Sequence, residues 1–278
     1  MNARPQLSQS GVPLLKSVSL RDEHGQLRTA CMPGEHPLTI YVDKQELVTL
    51  MTLGAAPEML VLGYLRNQKL LKSIADIESI QVDWEVNAAA VVTHRGIDNL
   101  RERTQKRVVT SGCGQGTLFG DMLGDIEQIR LNPDARLRQS VLYKIVNTIR
   151  LQDSIYKQAG SVHGCGLFSA EGELLCFVED VGRHNAVDSI AGQMWIEGIH
   201  GEDKIFYTTG RLTSEMVMKG AQMGIPFLLS RSGVTAMGYE VAQKVKMTVL
   251  GRCTYERFLI FSGEERFVRD VDTTAARP

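Results

Sequence analysis

A single cysteine, Cys113, stands among glycines in the hexapeptide SGCGQG (residues 111–116). A cysteine that serves packing usually lies in apolar sequence, where it acts as a small hydrophobic residue. Cys113 has no apolar neighbours, and its flanking glycines let another molecule approach the backbone closely. The basic run RERTQKR (residues 101–107) precedes it, and positive charge favours the thiolate, the nucleophilic form of cysteine. These features indicate a reactive thiol; a purely structural thiol is the alternative.

Arginine recurs where predicted strands end in the second half of the chain. The segments EDVGRHN, TTGR, SRSG and RCTYER each follow a run that is typical of a strand. Ligands of parallel α/β sheets bind beyond the carboxyl ends of the strands, and the planar guanidinium group suits bidentate contact with phosphate. The pattern predicts a pocket for a phosphorylated or pyrophosphate-bearing ligand. The arginines concerned are Arg183, Arg211, Arg231, Arg252 and Arg257.

Other interpretations apply to the same segments. A single arginine is often half of an exposed ion pair. The acidic partners available for such pairs are Glu179, Asp180 and Glu215. The stretch EDVGRHNAVD (residues 179–188) bridges a strand end and a helix start, and its polar cluster indicates an acid–base or ligand-orienting site that includes His184. The alternative is a helix N-terminus that Asn185 caps, with acidic residues near the helix dipole.

His163 and Cys165, in the segment VHGC, are candidate metal ligands. A catalytic zinc ion needs about three protein ligands, and the sequence supplies no convincing third. The zinc deaminase pattern has glutamate where Cys165 stands and a later Pro-Cys-x-x-Cys, which this chain lacks. We therefore expect no catalytic metal, with a zinc-dependent hydrolase as the alternative.

The bulk properties of the 278-residue chain exclude several classes of protein. A net charge of −1 gives no reason to expect a nucleic-acid or membrane partner. No apolar run reaches the roughly 18 residues of a transmembrane helix, and the N-terminus lacks the continuous apolar region of a signal peptide. Five cysteines without a repeated spacing do not form a disulfide framework. We expect a cytoplasmic protein.

The elements predicted in the first half of the chain determine the position of Cys113. Residues 1–35 are polar and rich in turn formers, which predicts a loosely held arm. Residues 36–110 predict a small strand-rich domain: a hairpin at 37–53 that turns at Asp43-Lys44, a helix from Pro57, and strands in IESIQVDWEV and AAAVVTHR. Residues 111–135, with several glycines, predict a mobile loop that carries Cys113.

The elements predicted in the second half, residues 136–278, determine the positions of the arginines. This half begins with a helical stripe of apolar residues between 137 and 149, for which Gly160 is a plausible stop. From residue 161 onward, strand and helix patterns alternate with short connections. Such alternation predicts a layered α/β domain with a largely parallel sheet covered by helices. The fold class is therefore α/β, with a smaller strand-rich domain in front.

The motifs resemble a known family. EDVGRHNAVD, the stretch from TTGRLTSEMV to KMTVLGRC, VHGCGLF, and the opening LTIYVDKQELVTLMTL to LGYL are similar to the FdhD family of formate dehydrogenase accessory sulfurtransferases, over most of residues 37–260. The resemblance implies a homodimeric sulfurtransferase that receives persulfide sulfur from a cysteine desulfurase. It implies that the sulfur passes to the molybdenum cofactor, as the bis(molybdopterin guanine dinucleotide), for formate dehydrogenase. It also implies a cytidine-deaminase-like fold for the second domain, without the deaminase zinc.

Residue by residue, Cys113 matches the persulfide cysteine of that family. The family often has Cys-x-x-Cys there, whereas this chain has Gly116 at the second position. The segment RCTYER matches the cofactor-binding loop of the family but lacks its glycine and its His-Pro. Predicted cofactor contacts in that segment are Arg252, Cys253, Thr254, Tyr255, Glu256 and Arg257. The others are Arg183, His184, Arg211, Arg231 and His163.

Two functions are compatible with the absence of a second cysteine. A single thiolate can still accept and donate sulfur, which makes the chain a sulfur carrier that acts through Cys113. The alternative is a chaperone that binds the molybdenum cofactor for formate dehydrogenase without transferring sulfur.

Overall fold

The computed structural model of the protein describes residues 4–97 and 128–271, which form two compact units. Among these residues, unit 1 consists of 4–97, 153–164 and 178–199, and unit 2 consists of 128–152, 165–177 and 200–271. The units differ from the predicted continuous domains, because residues 153–164 and 178–199 of the second half belong to unit 1. Residues 111–127 of the predicted cysteine loop lie outside the described residues.

Unit 1 contains a five-stranded sheet and a separate two-stranded hairpin. Its strands in chain order are β1 (Gln6–Leu7), β2 (Leu15–Arg21), β3 (Leu27–Pro33), β4 (His36–Val42), β5 (Gln45–Thr52), β6 (Ile77–Asp83) and β7 (Ala88–Thr93). The sheet has the order β1-β6-β7-β4-β5, and β2 and β3 form a separate two-stranded sheet. A 3-10 turn at Ile74–Asp76 precedes β6.

The predicted hairpin at residues 37–53 is confirmed, since β4 and β5 pair in antiparallel fashion. Asp43 and Lys44 connect them, and both have positive φ angles of 48° and 69°. A two-residue type I′ turn requires positive φ at both central positions, and its twist matches that of the flanking strands. The turn therefore fixes the register of this hairpin.

The arm predicted for residues 1–35 contains a hairpin of β2 and β3, which pairs from Leu15 opposite Pro33 to Arg21 opposite Leu27. The Asp22 carboxylate organises its turn by accepting hydrogen bonds from the Arg28 side chain at 2.6 Å and from two backbone amides. The bond from Arg28 is the main reason that the pKa of Asp22 lies below its usual value. A local polar turn thus orders a segment that looked unstructured by composition.

The helices are α1 (Pro57–Asn67), α2 (Gln139–Leu151), α3 (Ile155–Ala159), α4 (Arg183–Glu197), α5 (Ser214–Gln222) and α6 (Ala236–Lys244). As predicted, α1 begins at Pro57, and its Leu60 and Leu65 are buried with Leu38 and Ile80 of the sheet in the core of unit 1. Helix α4 belongs to the same unit and packs against α1.

Two glycines allow α1 and α4 to touch through their backbones. A Cβ atom added to Gly63 would lie 1.6 Å from the carbonyl oxygen of Asp188, and one added to Gly192 would lie 2.0 Å from that of Met59. Real Cβ contacts are never so short. Glycine is therefore required at both positions for this close approach.

Unit 2 contains most of a six-stranded sheet with the order β10-β9-β11-β12-β13-β14. Its strands are β9 (His163–Phe168), β10 (Leu174–Asp180), β11 (Ile205–Thr208), β12 (Phe227–Ser230), β13 (Thr248–Thr254) and β14 (Arg257–Ser262). A small pair joins β8 (Leu137–Arg138) to β15 (Phe267–Val268), with a 3-10 turn at Glu264–Arg266 before it. The α/β class is confirmed.

The sheet is mixed, so the prediction of a largely parallel sheet needs correction. Strands β11, β12 and β13 are parallel, and α5 and α6 form the crossovers between them. Strand β9 runs antiparallel to β11, and β14 runs antiparallel to β13. Since only Tyr255 and Glu256 separate β13 from β14, the chain must reverse there, because parallel neighbours need a crossover of a dozen or more residues. No helix among the described residues is long and apolar enough to cross a membrane.

Candidate functional site

Four arginines predicted as ligand contacts lie at one edge of the unit 2 sheet, the edge formed by the carboxyl ends of β11, β12 and β13. Arg211 follows β11, Arg231 follows β12, Arg252 lies near the end of β13, and Arg257 begins the antiparallel β14. All four are exposed. We call this set the arginine edge. Cys113 and the basic run at 101–107 lie outside the described residues.

Backbone hydrogen bonds join the segments that carry the arginines. The amide of Arg231 donates to the carbonyl of Thr208 at 3.0 Å, and the amide of Arg252 donates to the carbonyl of Ser232 at 2.7 Å. Arg252 adopts a positive φ of 56°, an uncommon conformation for a side chain with a Cβ. These bonds fix the spacing of the arginines along the edge.

Two buried hydroxyl groups support the same segments, and the sequence analysis did not single them out. Ser230 Oγ donates to the carbonyl of Gly210 at 2.6 Å and accepts from the amide of Ser232 at 2.9 Å. Thr208 Oγ1 accepts from the amide of Gly210 at 3.1 Å. Both hydroxyls end a buried strand, and a polar residue at that position is the signal that could have identified them.

The contacts of the arginine edge give little support to the alternative in which its arginines form exposed ion pairs. Glu215, offered as a partner, lies 3.7 Å from the ammonium group of the buried Lys219 on the same helix. Within residues 4–97 and 128–271, three of the arginines have no carboxylate within salt-bridge distance: Arg211, Arg252 and Arg257. Their charges are available to an anionic ligand.

The predicted cofactor loop RCTYER is a strand end and a tight turn. Thr254 pairs with Arg257 across the hairpin, and Tyr255 and Glu256 form the turn. Tyr255 is 75% exposed with a positive φ of 51°, and the Tyr143 hydroxyl donates to the carbonyl of Glu256 at 3.3 Å. An exposed aromatic ring beside arginines suits stacking on a flat base and contact with its phosphates.

Cys253 differs from its neighbours in this segment, because its side chain lies in the core of unit 2. It is 1% exposed and is buried with Leu229, Leu250 and Phe267. Burial raises the pKa of the Cys253 thiol to about 12, because a thiolate would lose its hydration there. The structure therefore favours a packing role for this thiol.

This difference predicts the reactivity of the thiols at pH 8. Cys253 should remain protonated and unmodified by iodoacetamide in the folded protein, whereas the half-buried Cys31 should react. Peptide mapping by mass spectrometry measures both residues in one sample, and denatured protein, in which both should react, is the control. Alkylation of Cys253 at the rate of Cys31 in the folded protein would contradict this.

The acidic residues of EDVGRHNAVD hold unit 1 together. Asp180, which is 3% exposed, accepts hydrogen bonds from Thr52 Oγ1 at 2.5 Å, and from the amides of Leu53 at 3.0 Å and Gly182 at 2.8 Å. A fourth comes from the Asn185 side chain at 2.8 Å. Burial raises the pKa of Asp180, and these four bonds oppose the rise. Asp180 thus joins β10 to the end of β5.

The remaining polar residues of this stretch also have structural partners. Glu179 accepts from the amides of Ile155 and Tyr156, at 2.6 Å and 3.1 Å, at the start of α3. Asp188, fully buried, accepts from the Asn67 side chain of α1 at 2.7 Å. These contacts account for Glu179 and Asp188 without an acid–base role, so that hypothesis finds no support in their geometry.

The start of α4 differs from the prediction. Gly182 is the N-cap residue, so the alternative in which Asn185 caps the helix is wrong. The side-chain amide of Asn185 instead donates to the Asp180 carboxylate and to the carbonyl of Met51, the latter at 2.7 Å. Arg183 and His184 lie in the first turn of the helix and are buried, at 8% and 2% exposure.

The two candidate ligands of the metal alternative differ in their burial and in their hydrogen bonding. His163, half-buried, begins β9, whereas the Cys165 thiol is fully buried and lies 3.3 Å from Thr208 Oγ1, to which it donates. In the part of the chain that the structure describes, no group of three or more potential ligands could hold a metal ion. The zinc-dependent hydrolase is thus without support there.

Comparisons with known proteins agree on one family. The model of the FdhD/NarQ family matches residues 33–268. The sulfur carrier protein FdhD of Listeria monocytogenes is 30% identical over 235 residues, which cover 84% of this chain and 89% of the relative. The sulfur carrier protein FdhD of Sulfurisphaera tokodaii is 29% identical, and the match covers 92% of this chain and 99% of the relative.

A solved structure has the same fold. It is a crystal structure from Desulfotalea psychrophila, described as that of a formate dehydrogenase accessory protein. The match has a TM-score of 0.73 at 25% identity and covers 92% of this chain and all of the other.

Proposed function

The chain belongs to the FdhD/NarQ family, and on this premise we propose that it is a sulfur carrier protein that serves formate dehydrogenase. Its curated relatives carry the name sulfur carrier protein FdhD, and its structural neighbour is described as a formate dehydrogenase accessory protein. In this proposal Cys113 takes persulfide sulfur from a cysteine desulfurase. It then transfers that sulfur to the bis(molybdopterin guanine dinucleotide) form of the molybdenum cofactor, which is the substrate.

The first step is a thiol–persulfide exchange. The thiolate of Cys113 attacks the outer sulfur of the persulfide on the desulfurase, and the sulfur–sulfur bond of the donor breaks. Its electron pair remains on the donor cysteine as a thiolate, and Cys113 becomes the persulfide, so no external oxidant is needed. The lysine and arginines that precede the loop favour the attacking thiolate.

The arginine edge is the observation that supports the proposed binding of the molybdenum cofactor. A bis(guanine dinucleotide) cofactor presents pyrophosphate groups and flat guanine bases. Among the described residues, the exposed Arg211, Arg252 and Arg257 have no carboxylate within salt-bridge distance and suit the pyrophosphates, and the exposed ring of Tyr255 suits a base. Arg211, Arg231, Arg252, Thr254, Tyr255 and Arg257 would hold the cofactor, whereas Glu256 at the turn offers only a repulsive carboxylate to phosphate.

Removal of two arginines should weaken binding of guanosine diphosphate, a soluble fragment of the cofactor. We expect Arg252→Gln with Arg257→Gln to raise its dissociation constant roughly a hundredfold, because each arginine supplies charge-assisted hydrogen bonds to phosphate. Isothermal titration calorimetry measures this. Lys16→Gln with Arg95→Gln is the matched control, since it removes two exposed cations from unit 1. Equal losses in both double variants would mean that the arginine edge is not the binding site.

A cofactor chaperone without sulfur transfer is the second candidate function, and the presence of Gly116 in place of a second cysteine favours it. The arginine edge would serve this function equally well. The two differ in their need for Cys113, because a chaperone would still activate formate dehydrogenase after Cys113→Ser.

Further features of the proposal come from the family resemblance. We propose that the protein is a homodimer in the cytoplasm and that unit 2 has a cytidine-deaminase-like fold. Arg183, His184 and His163 stay predicted cofactor contacts. The burial of Arg183 and His184 in unit 1 favours a structural contribution from both.

A further inference from the structure

A second basic pocket lies in unit 2, away from the arginine edge. Its volume is about 490 Å³, and four of the residues that line it are cationic: Arg130, Lys244, Lys246 and Arg266. Within residues 4–97 and 128–271, no acidic residue lines it. Pockets for small ligands typically span about 300–1,000 Å³, so the volume suits a metabolite.

The pocket lies at the opposite end of β13. Lys244 ends α6, and Lys246 lies two positions before this strand. Arg266 follows β14, whose last residue Ser262 pairs with Val249 near the start of β13. Arg252 lies six positions after Lys246, which corresponds to about 20 Å in extended chain. One phosphate group therefore cannot contact both Arg252 and this pocket.

Arg266 is the residue that points to a ligand. It is 5% exposed, and its Nη1 donates to the carbonyl of Lys246. Its Nε is buried and has no acceptor among the described residues. The carboxylate of the exposed Glu265 lies 3.8 Å from Nη1. A buried guanidinium group with an unmade hydrogen bond is costly unless a further partner compensates it.

The surroundings of Arg266 select an anion. Lys244 and Lys246 are exposed side chains beside it, and Lys246 is held at a positive φ of 53°. Lys244, Lys246 and Arg266 bring three positive charges to the pocket, and the fork of arginine matches the oxygens of phosphate. Ile129, Leu131 and Val245 add an apolar wall that can cover an organic body.

We propose that this pocket binds a small phosphorylated metabolite, with its phosphate group at Arg266, Lys244 and Lys246 and its organic body against the apolar wall. The site is independent of the sulfur carrier function. It would remain if that function were disproved.

Calorimetric titration of the full-length protein with inorganic pyrophosphate and with adenosine diphosphate tests the proposal. The test variant is Lys244→Gln with Lys246→Gln, because both side chains are exposed and their loss should leave the fold intact, whereas Arg266 is buried. In the Arg252→Gln, Arg257→Gln background, which should retain binding in this pocket, we expect the added substitutions to raise the dissociation constant of both probes at least about tenfold. Lys16→Gln with Arg95→Gln should bind both probes as the wild-type protein does.

Three results would overturn the proposal. The first is no binding of pyrophosphate at millimolar concentration, and the second is unchanged affinity for pyrophosphate when Lys244→Gln and Lys246→Gln are added to Arg252→Gln and Arg257→Gln. The third arises in the Arg252→Gln, Arg257→Gln background: adenosine diphosphate that binds no more tightly than pyrophosphate there would show that the apolar wall holds no organic body. If Arg252→Gln with Arg257→Gln left the affinity for guanosine diphosphate unchanged, that result would disprove only the proposed role of the arginine edge.

Discussion

Replacement of Cys113 by serine is expected to lower the activity of a dependent formate dehydrogenase in cells by at least about two orders of magnitude, as is usual when a covalent nucleophile is lost. A serine hydroxyl cannot form a persulfide, so the cofactor would reach the enzyme without its sulfur. Formate oxidation by lysates of cells whose only family member is this protein measures the effect.

Cys31→Ser is the control, because this half-buried thiol lies on β3. Its replacement should leave formate dehydrogenase activity within about twofold of the wild type, since most surface substitutions have small effects. Retained activity after Cys113→Ser would instead favour the chaperone, for which only the arginine edge matters.

Gly63→Ala is expected to produce the largest loss of stability, roughly 3 kcal/mol or more in the free energy of unfolding of unit 1, at the upper end of overpacking costs. The new methyl group would lie 1.6 Å from the carbonyl oxygen of Asp188, and backbone cannot rotate aside as a side chain can. This cost exceeds the gain in helix propensity of about 1 kcal/mol that alanine brings.

Tryptophan fluorescence during urea unfolding measures this loss, because both tryptophans, Trp84 and Trp195, pack against the core of unit 1. Gly11→Ala is the matched control, since no atom would lie within 4 Å of its new Cβ. Equal unfolding midpoints for Gly63→Ala and Gly11→Ala would show that α1 and α4 do not approach so closely.

Local patterns in the sequence predicted most of the elements. The alternation around Asp43 and Lys44 gave the β4–β5 hairpin, and the apolar runs between residues 205 and 254 gave the three parallel strands with their crossover helices. These features depend on residues close to one another in the chain. The sequence therefore contains their signal within short windows.

Pairings between distant segments were not predictable in this way. Asp180 bonds to Thr52, 128 residues earlier, and Asp188 bonds to Asn67, 121 residues earlier. Such contacts place α4 in unit 1, although its sequence neighbours belong to unit 2. They also explain why a cluster of acids that resembled an active site has structural partners.

The candidate site was predictable in part. The topology of the strands brings Arg211, Arg231, Arg252 and Arg257 to one edge, as expected for residues at strand ends. The burial of Cys253 was not predicted, since the direction of a side chain depends on the pairing of β13 with β14. The basic pocket was missed because its residues come from three separate segments.

The most direct test of the carrier function is the mass of the purified protein after incubation with a cysteine desulfurase and cysteine. Intact and peptide mass spectra should show the added mass of one sulfur atom on the peptide that contains Cys113, and none after Cys113→Ser. An adduct on another cysteine, or no adduct on the wild-type protein, would contradict the proposed role of Cys113.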